Sequence, residues 1–152
     1  METIYTLTRS YCDSHDVYYL AGPDTYTQAE FRNLCSSLLT TAAEIALQQA
    51  GKDDRSIFVG WEDIVRELIP LLATRGFRAF RPKSAGFAGP DIIDNDNEGY
   101  YDERNIDKNI LTNIINHNLE EERRWTEEHK NAELQHTHGD SSPVSDNLAA
   151  TR

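Results

Sequence analysis

From residue 94 to residue 105 the chain reads Asp-Asn-Asp-Asn-Glu-Gly-Tyr-Tyr-Asp-Glu-Arg-Asn, a dense run of oxygen-bearing side chains. Carboxylates recur at Asp94, Asp96 and Glu98, Gly99 follows at once, and a further carboxylate stands at Asp102. Calcium needs several hard oxygens converging on one point, and a glycine permits the sharp turn that brings them together. A second candidate is cationic. Arg75, Arg78, Arg81 and Lys83 lie close together, and such a cluster suits a phosphate or a carboxylate-rich partner. On a strand Arg78 and Arg81 have opposite parity, so pairing with the acidic stretch 91–103 is the expected use of these cations. His136 and His138 have no other ligand near them in the sequence and make a weak metal pair. Cys12, His15 and Asp16 crowd one predicted loop, without the cleft that a Cys–His nucleophile requires. No complete catalytic set is legible.

Over residues 94–105 the sequence resembles the calcium loop of EF-hand and dockerin-like proteins. The resemblance implies side-chain ligands at Asp94, Asp96 and Glu98, the backbone carbonyl of Tyr100, and Asp102 acting through water. Two features depart from that pattern. Asn105 replaces the bidentate carboxylate, and Gly86, Gly89 and Pro90 stand where an entering helix would run. A solvated acidic loop leading into a helix, with Asp102 and Glu103 complementing the helix dipole, is the expected reading. No cofactor is expected, and calcium is the one candidate.

Tyr19-Leu20-Ala21-Gly22-Pro23 is followed by Asp24, a strand running into a tight turn. It resembles the first strand and turn of the nucleoside 2-deoxyribosyltransferase family, and Gly76–Pro82 resembles that family's second strand. The resemblance implies a nucleoside site near Tyr19, Gly22, Pro23 and Asp24, where a glycine-proline turn would let backbone approach a ligand. It covers only these two pieces. The family's later strands and its catalytic acid have no counterpart here, so no catalytic residue is carried over.

Several elements must position these groups. Residues 3–8 and 17–21 are rich in β-branched and aromatic residues and predict a hairpin. Thr27 and Glu30 have capping-box spacing at the head of a helix. Its apolar face carries Phe31, Leu34, Cys35, Leu38, Leu39, Ala42, Ile45 and Ala46, and Gly51 ends it. Trp61, Ile64, Val65, Leu68 and Leu72 share one face of a second helix, with a kink or break expected at Pro70. Gly76 stops that helix and a strand follows near 77–81. Residues 56–59 are expected as a short strand, and 83–102 as an ordered loop or lid. A last helix begins near Glu103, with Ile106, Ile110, Ile114 and Leu119 facing inward and Glu120 paired with Arg124.

The expected fold is therefore α+β: a small antiparallel sheet on two or three helices, then a long C-terminal helix and a disordered tail. Residues 1–119 form the core domain, 120–134 a polar helical extension and 135–152 the tail.

The chain has 152 residues and a formal net charge of -11. That charge repels nucleic-acid backbones and anionic membranes and favours a protein partner with a basic surface. No apolar run approaches the ~20 residues of a membrane span. No basic, apolar leader opens the sequence, and the two cysteines lack metal or redox spacing. These features predict a reducing, cytoplasmic setting, in the producing cell or in a host. The leading expectation is a small acidic binding or regulatory protein without enzymatic activity. An inhibitor of a nucleic-acid-binding protein, of viral, mobile-element or immunity-protein type, is an example. Its expected contact residues are Glu98, Asp102, Glu120, Glu121, Glu122 and Trp125. The alternative is a nucleoside- or nucleotide-binding protein.

Overall fold

The structure is a computed structural model that describes residues 2–11, 14–52, 57–81 and 97–139. Strands β1 (Glu2–Tyr11) and β2 (Ser14–Pro23) form the expected hairpin, paired from Glu2–Pro23 to Tyr11–Ser14. The ladder runs well past the six- and five-residue strands read from composition, through segments that look polar. Strand β3 (Arg78–Phe80) adds antiparallel to β2. Strand β4 (Glu98–Tyr100) pairs in parallel with β1, giving the order β3-β2-β1-β4. The fold is α+β, and its sheet is mixed. β4 lies inside the stretch expected to be loop.

Helix α1 (Gln28–Gln49) starts with the capping box the spacing predicts: Thr27 N donates to Glu30 Oε1 and Glu30 N to Thr27 Oγ1. The hydrogen bond from the Thr27 backbone, helped by one from the Thr27 side chain, holds the Glu30 carboxyl below its ordinary pKa. Phe31, Cys35, Leu38, Leu39, Ala42 and Ala46 are buried along one face. Helix α2 (Trp61–Ala73) is continuous through Pro70 rather than broken into two pieces. At its end Gly76 N donates to Ala73 O and Phe77 N to Leu72 O, with Gly76 at φ 91°. This closure needs a residue in the left-handed region, which glycine occupies without a Cβ penalty. Residues 57–60 join no strand.

Strand alternation puts Tyr5, Leu7 and Arg9 on one face of the sheet, with their partners Leu20, Tyr18 and Asp16. This face packs on α1 and α2. Tyr5, Phe31 and Phe77 meet there with ring centroids 4.5, 5.1 and 5.5 Å apart. Two glycines make the approach possible. A Cβ on Gly22 would lie 2.3 Å from the Phe77 ring, and one on Gly99 would lie 2.8 Å from both Cys35 Sγ and Phe31.

Helix α3 (Lys108–Gly139) begins five residues later than expected. A turn of 3-10 helix at Glu103–Asn105 precedes it. Asp107 Oδ1 then accepts from Asn109 N and Ile110 N and caps the long helix. Ile106 and Ile114 are buried, whereas Leu119 is 58% exposed, contrary to expectation. Leu119 lies five residues beyond Ile114, about 140° round the helix, and so faces away. The helix also runs past residue 134, to Gly139; residues 140–152 of the expected tail lie outside the described residues. Among the described residues no helix is long and apolar enough to cross a membrane.

The two glycine sites give a direct check. Gly22→Ala and Gly99→Ala each force a methyl into a filled core, at an expected cost of about 1–3 kcal/mol. Urea unfolding should show both losses; a variant as stable as the parent would contradict the packing.

Candidate functional site

Of the described acidic residues picked out in the sequence, Asp102 and Glu121 are buried rather than on the surface. Asp102 is buried, and Arg104 grips its carboxylate with Nε at 3.0 Å from Oδ1 and Nη2 at 2.6 Å from Oδ2. Asp102 Oδ1 also accepts from Arg104 N, capping the 3-10 turn. Glu98 Oε1 accepts from the Tyr100 hydroxyl, and the Tyr100 carbonyl accepts from Asn105 Nδ2 at 2.6 Å. Asn105, the departure from the calcium-loop pattern, thus ties the segment to itself. Arg32 and Arg104 both lie over the Tyr100 ring, 5.2 and 3.8 Å from its centroid. Among the described residues these two arginines brace the acidic stretch and Arg78 pairs with Glu2; Lys83 and residues 91–96 lie outside the described residues.

Asp94 and Asp96 of the calcium-loop resemblance lie outside the described residues. The remaining oxygens, from Glu98, Tyr100 and Asp102, are engaged in the contacts above and sit on an extended strand and its exit. Among the described residues no group of three or more His, Cys, Asp or Glu side chains could hold a metal ion.

The Tyr19–Asp24 turn is built for packing. Gly22 faces the core and is filled by the Phe77 ring. The Pro23 carbonyl accepts from the buried Tyr5 hydroxyl. Tyr19 has the opposite parity on β2 and meets Phe80 across the strands, with centroids 6.3 Å apart. Tyr19 and Gly22 therefore lie on opposite faces of β2.

The C-terminal helix divides in two. His117 Nε2 lies 2.6 Å from the Ile57 carbonyl. Asn118 bonds Val59 twice, accepting from its N–H and donating to its carbonyl, each at 2.8 Å. The docked stripe runs through Ile114, Asn118 and Glu121, and Glu121 is buried beside Arg124. One turn on, Trp125 continues the same stripe but is 50% exposed, its ring stacked on His129 at 3.6 Å. Glu120 is paired with Arg123, three residues on, rather than with Arg124. Glu122 and Glu128, at i-3 and i+3 of Trp125, are exposed, and neither has an ion-pair or hydrogen-bond partner among the described residues.

A cleft of about 470 Å³ opens where the far end of the hairpin meets the start of α2. Tyr18, Trp61, Val65 and Tyr101 give it aromatic and aliphatic walls; Arg9, Asp16 and Glu62 supply charge. Arg9 and Asp16 are cross-strand neighbours joined at 2.7 Å, and the Arg9 guanidinium lies 5.6 Å from the Trp61 ring centroid. Burial, reinforced by the Asp16 carboxylate and opposed by a hydrogen bond from Arg9, pushes the Tyr101 hydroxyl up to about 12. Apart from Asp16, which the sequence sets beside Cys12 and His15, no motif in the sequence marks these residues as a site.

Comparison with protein-family models, with curated proteins and with solved structures gave no match.

Burial also pushes the Cys35 thiol up, from 9.0 to about 12. Cys35 and Tyr101 both hold their protons more tightly folded than unfolded, so each stabilises the fold below its unfolded pKa. That contribution is lost as pH rises toward 12. The urea midpoint should fall above pH 9, with Cys35→Ala flattening the early part of the decline and Tyr101→Phe the later part. A midpoint constant from pH 8 to pH 11 would contradict the burial of both groups.

Proposed function

We propose that this chain is a small acidic binding protein that acts by docking on a protein partner with a basic surface. The observation that carries the reading is Trp125. A large apolar ring continues the docked stripe of α3 beyond the core, half exposed and flanked by the carboxylates of Glu122 and Glu128. An aromatic anchor with a polar, charged surround is the usual anatomy of a binding hot spot. The net charge of -11 adds long-range attraction to a basic surface and speeds encounter.

A groove that normally holds a nucleic-acid backbone is the class of surface that fits best, because spaced carboxylates can stand in for phosphates. An inhibitor of such a protein, of viral or mobile-element type, or the immunity partner of a basic toxin, would act this way. The contact set drawn from the sequence narrows to Glu122 and Trp125, and Glu128 is added to it. Asp102 and Glu121 serve the fold, and Glu98 and Glu120 are tied to neighbours.

The test is affinity capture from cells that make the protein, at low and then moderate salt, beside Trp125→Ala and the Glu122→Lys/Glu128→Lys pair. One stoichiometric basic partner is expected, released by salt and reduced at least tenfold by either variant, with circular dichroism unchanged. Equal capture by parent and variants would remove the helix as the contact surface.

A further inference from the structure

The cleft between the hairpin and α2 is a second feature, separate from the Trp125 surface in its residues. Three rings line it. Tyr18 and Tyr101 meet edge to face at 5.4 Å and 74°, and Trp61 and Tyr101 at 6.3 Å and 83°. Tyr18 is 38% exposed, an unusual state for a large ring opposite buried Leu7 on a core-facing strand position. The charge at the cleft is unbalanced. Arg9 and Asp16 neutralise one another, and Arg9 already covers part of the Trp61 ring. Glu62, exposed in the first turn of α2, has no ion-pair or hydrogen-bond partner among the described residues.

Aromatic faces attract cations through their negative quadrupole, and the attraction grows when the cation leaves water. A free carboxylate at the rim adds a directional partner. Guanidinium fits such a place better than ammonium, because it is planar, weakly hydrated, stacks on rings and forks onto carboxylates. An anionic occupant would find Arg9 already bonded to Asp16 and would meet the uncompensated charge of Glu62.

We infer that the cleft lined by Tyr18, Trp61, Glu62, Val65 and Tyr101 receives an arginine side chain of a basic protein partner. The guanidinium stacks against Tyr18 and Trp61 and pairs with Glu62. The volume of about 470 Å³ is within the range of pockets that enclose small ligands and leaves room for the neighbouring residue. This inference rests on the reading of the chain as a binder of basic proteins, and it places one anchor of that partner. The cleft begins two residues past Val59, where Asn118 fastens α3.

A hexa-arginine peptide is the probe, used at low salt on the full chain carrying Trp125→Phe, which leaves Trp61 as the sole indole. Labelled peptide should bind by anisotropy and change Trp61 emission saturably with the same midpoint. Glu62→Gln and Tyr18→Ala, both at exposed positions, should each weaken that response at least fivefold. Hexa-glutamate should produce no response. Binding by anisotropy with unchanged Trp61 emission and no effect of Glu62→Gln would overturn the cleft while leaving the acidic-helix reading in place. A Trp61 response to hexa-glutamate equal to that with hexa-arginine would also overturn it. A persistent Trp61 response in the Glu122→Lys/Glu128→Lys background would uphold the cleft independently of the helix. Absence of any hexa-arginine binding would overturn the cleft and count against the basic-partner reading together.

Discussion

Three rings from distant parts of the chain hold this fold together. Tyr5 comes from the first strand, Phe31 from the head of α1, and Phe77 from the turn between α2 and β3, and all three are almost completely buried. Their contacts join sheet and helices at one junction, in tilted and edge-on arrangements that add to the burial of their area. The junction exists only because Gly22 and Gly99 have no side chain on the core face. Tyr5 adds a polar tie through its hydroxyl to the Pro23 carbonyl. That bond sets where β2 ends and the chain turns toward α1.

Much of this was legible from local pattern. The hairpin, the capping box at Thr27 and Glu30, the buried face of α1 and the stripe of α2 depend on residues a few positions apart. Periodicity reports such features directly. β4 was not legible. It is three residues long, reads Glu-Gly-Tyr, and owes its existence to a parallel pairing with Thr6–Thr8 some ninety residues earlier. The start of α3 was misplaced because Asp102 and Asp107 both have cap chemistry; only packing decides that the first opens a 3-10 turn and the second the long helix. The cleft was invisible for a related reason. Its lining comes from positions 9, 16–18, 61, 62, 65 and 101, and no short motif spans them.

The acidity read from composition is real, but much of it is used inside the fold. Glu30, Asp63 and Asp107 accept backbone N–H groups at helix starts. Asp16, Asp102 and Glu121 neutralise Arg9, Arg104 and Arg124. Those carboxylates shape local structure and contribute little directional attraction for a partner. Among the described residues Glu62, Glu122 and Glu128 have no such partner, and they stand beside the rings of the cleft and Trp125. Net charge alone could not separate the two groups, since both count equally in it.

Asn118 has a mechanical consequence. Its amide bonds both polar groups of Val59, much as a neighbouring strand would, and a fractional slide of α3 would break both bonds at once. The helix is 32 residues long, roughly 48 Å at 1.5 Å per residue, and this clamp lies near the end of its docked part. The remaining turns therefore act as a lever with its fulcrum at Asn118. A force applied at the outer end becomes a torque on the segment leading into α2, with Trp61 two residues from the point of attachment.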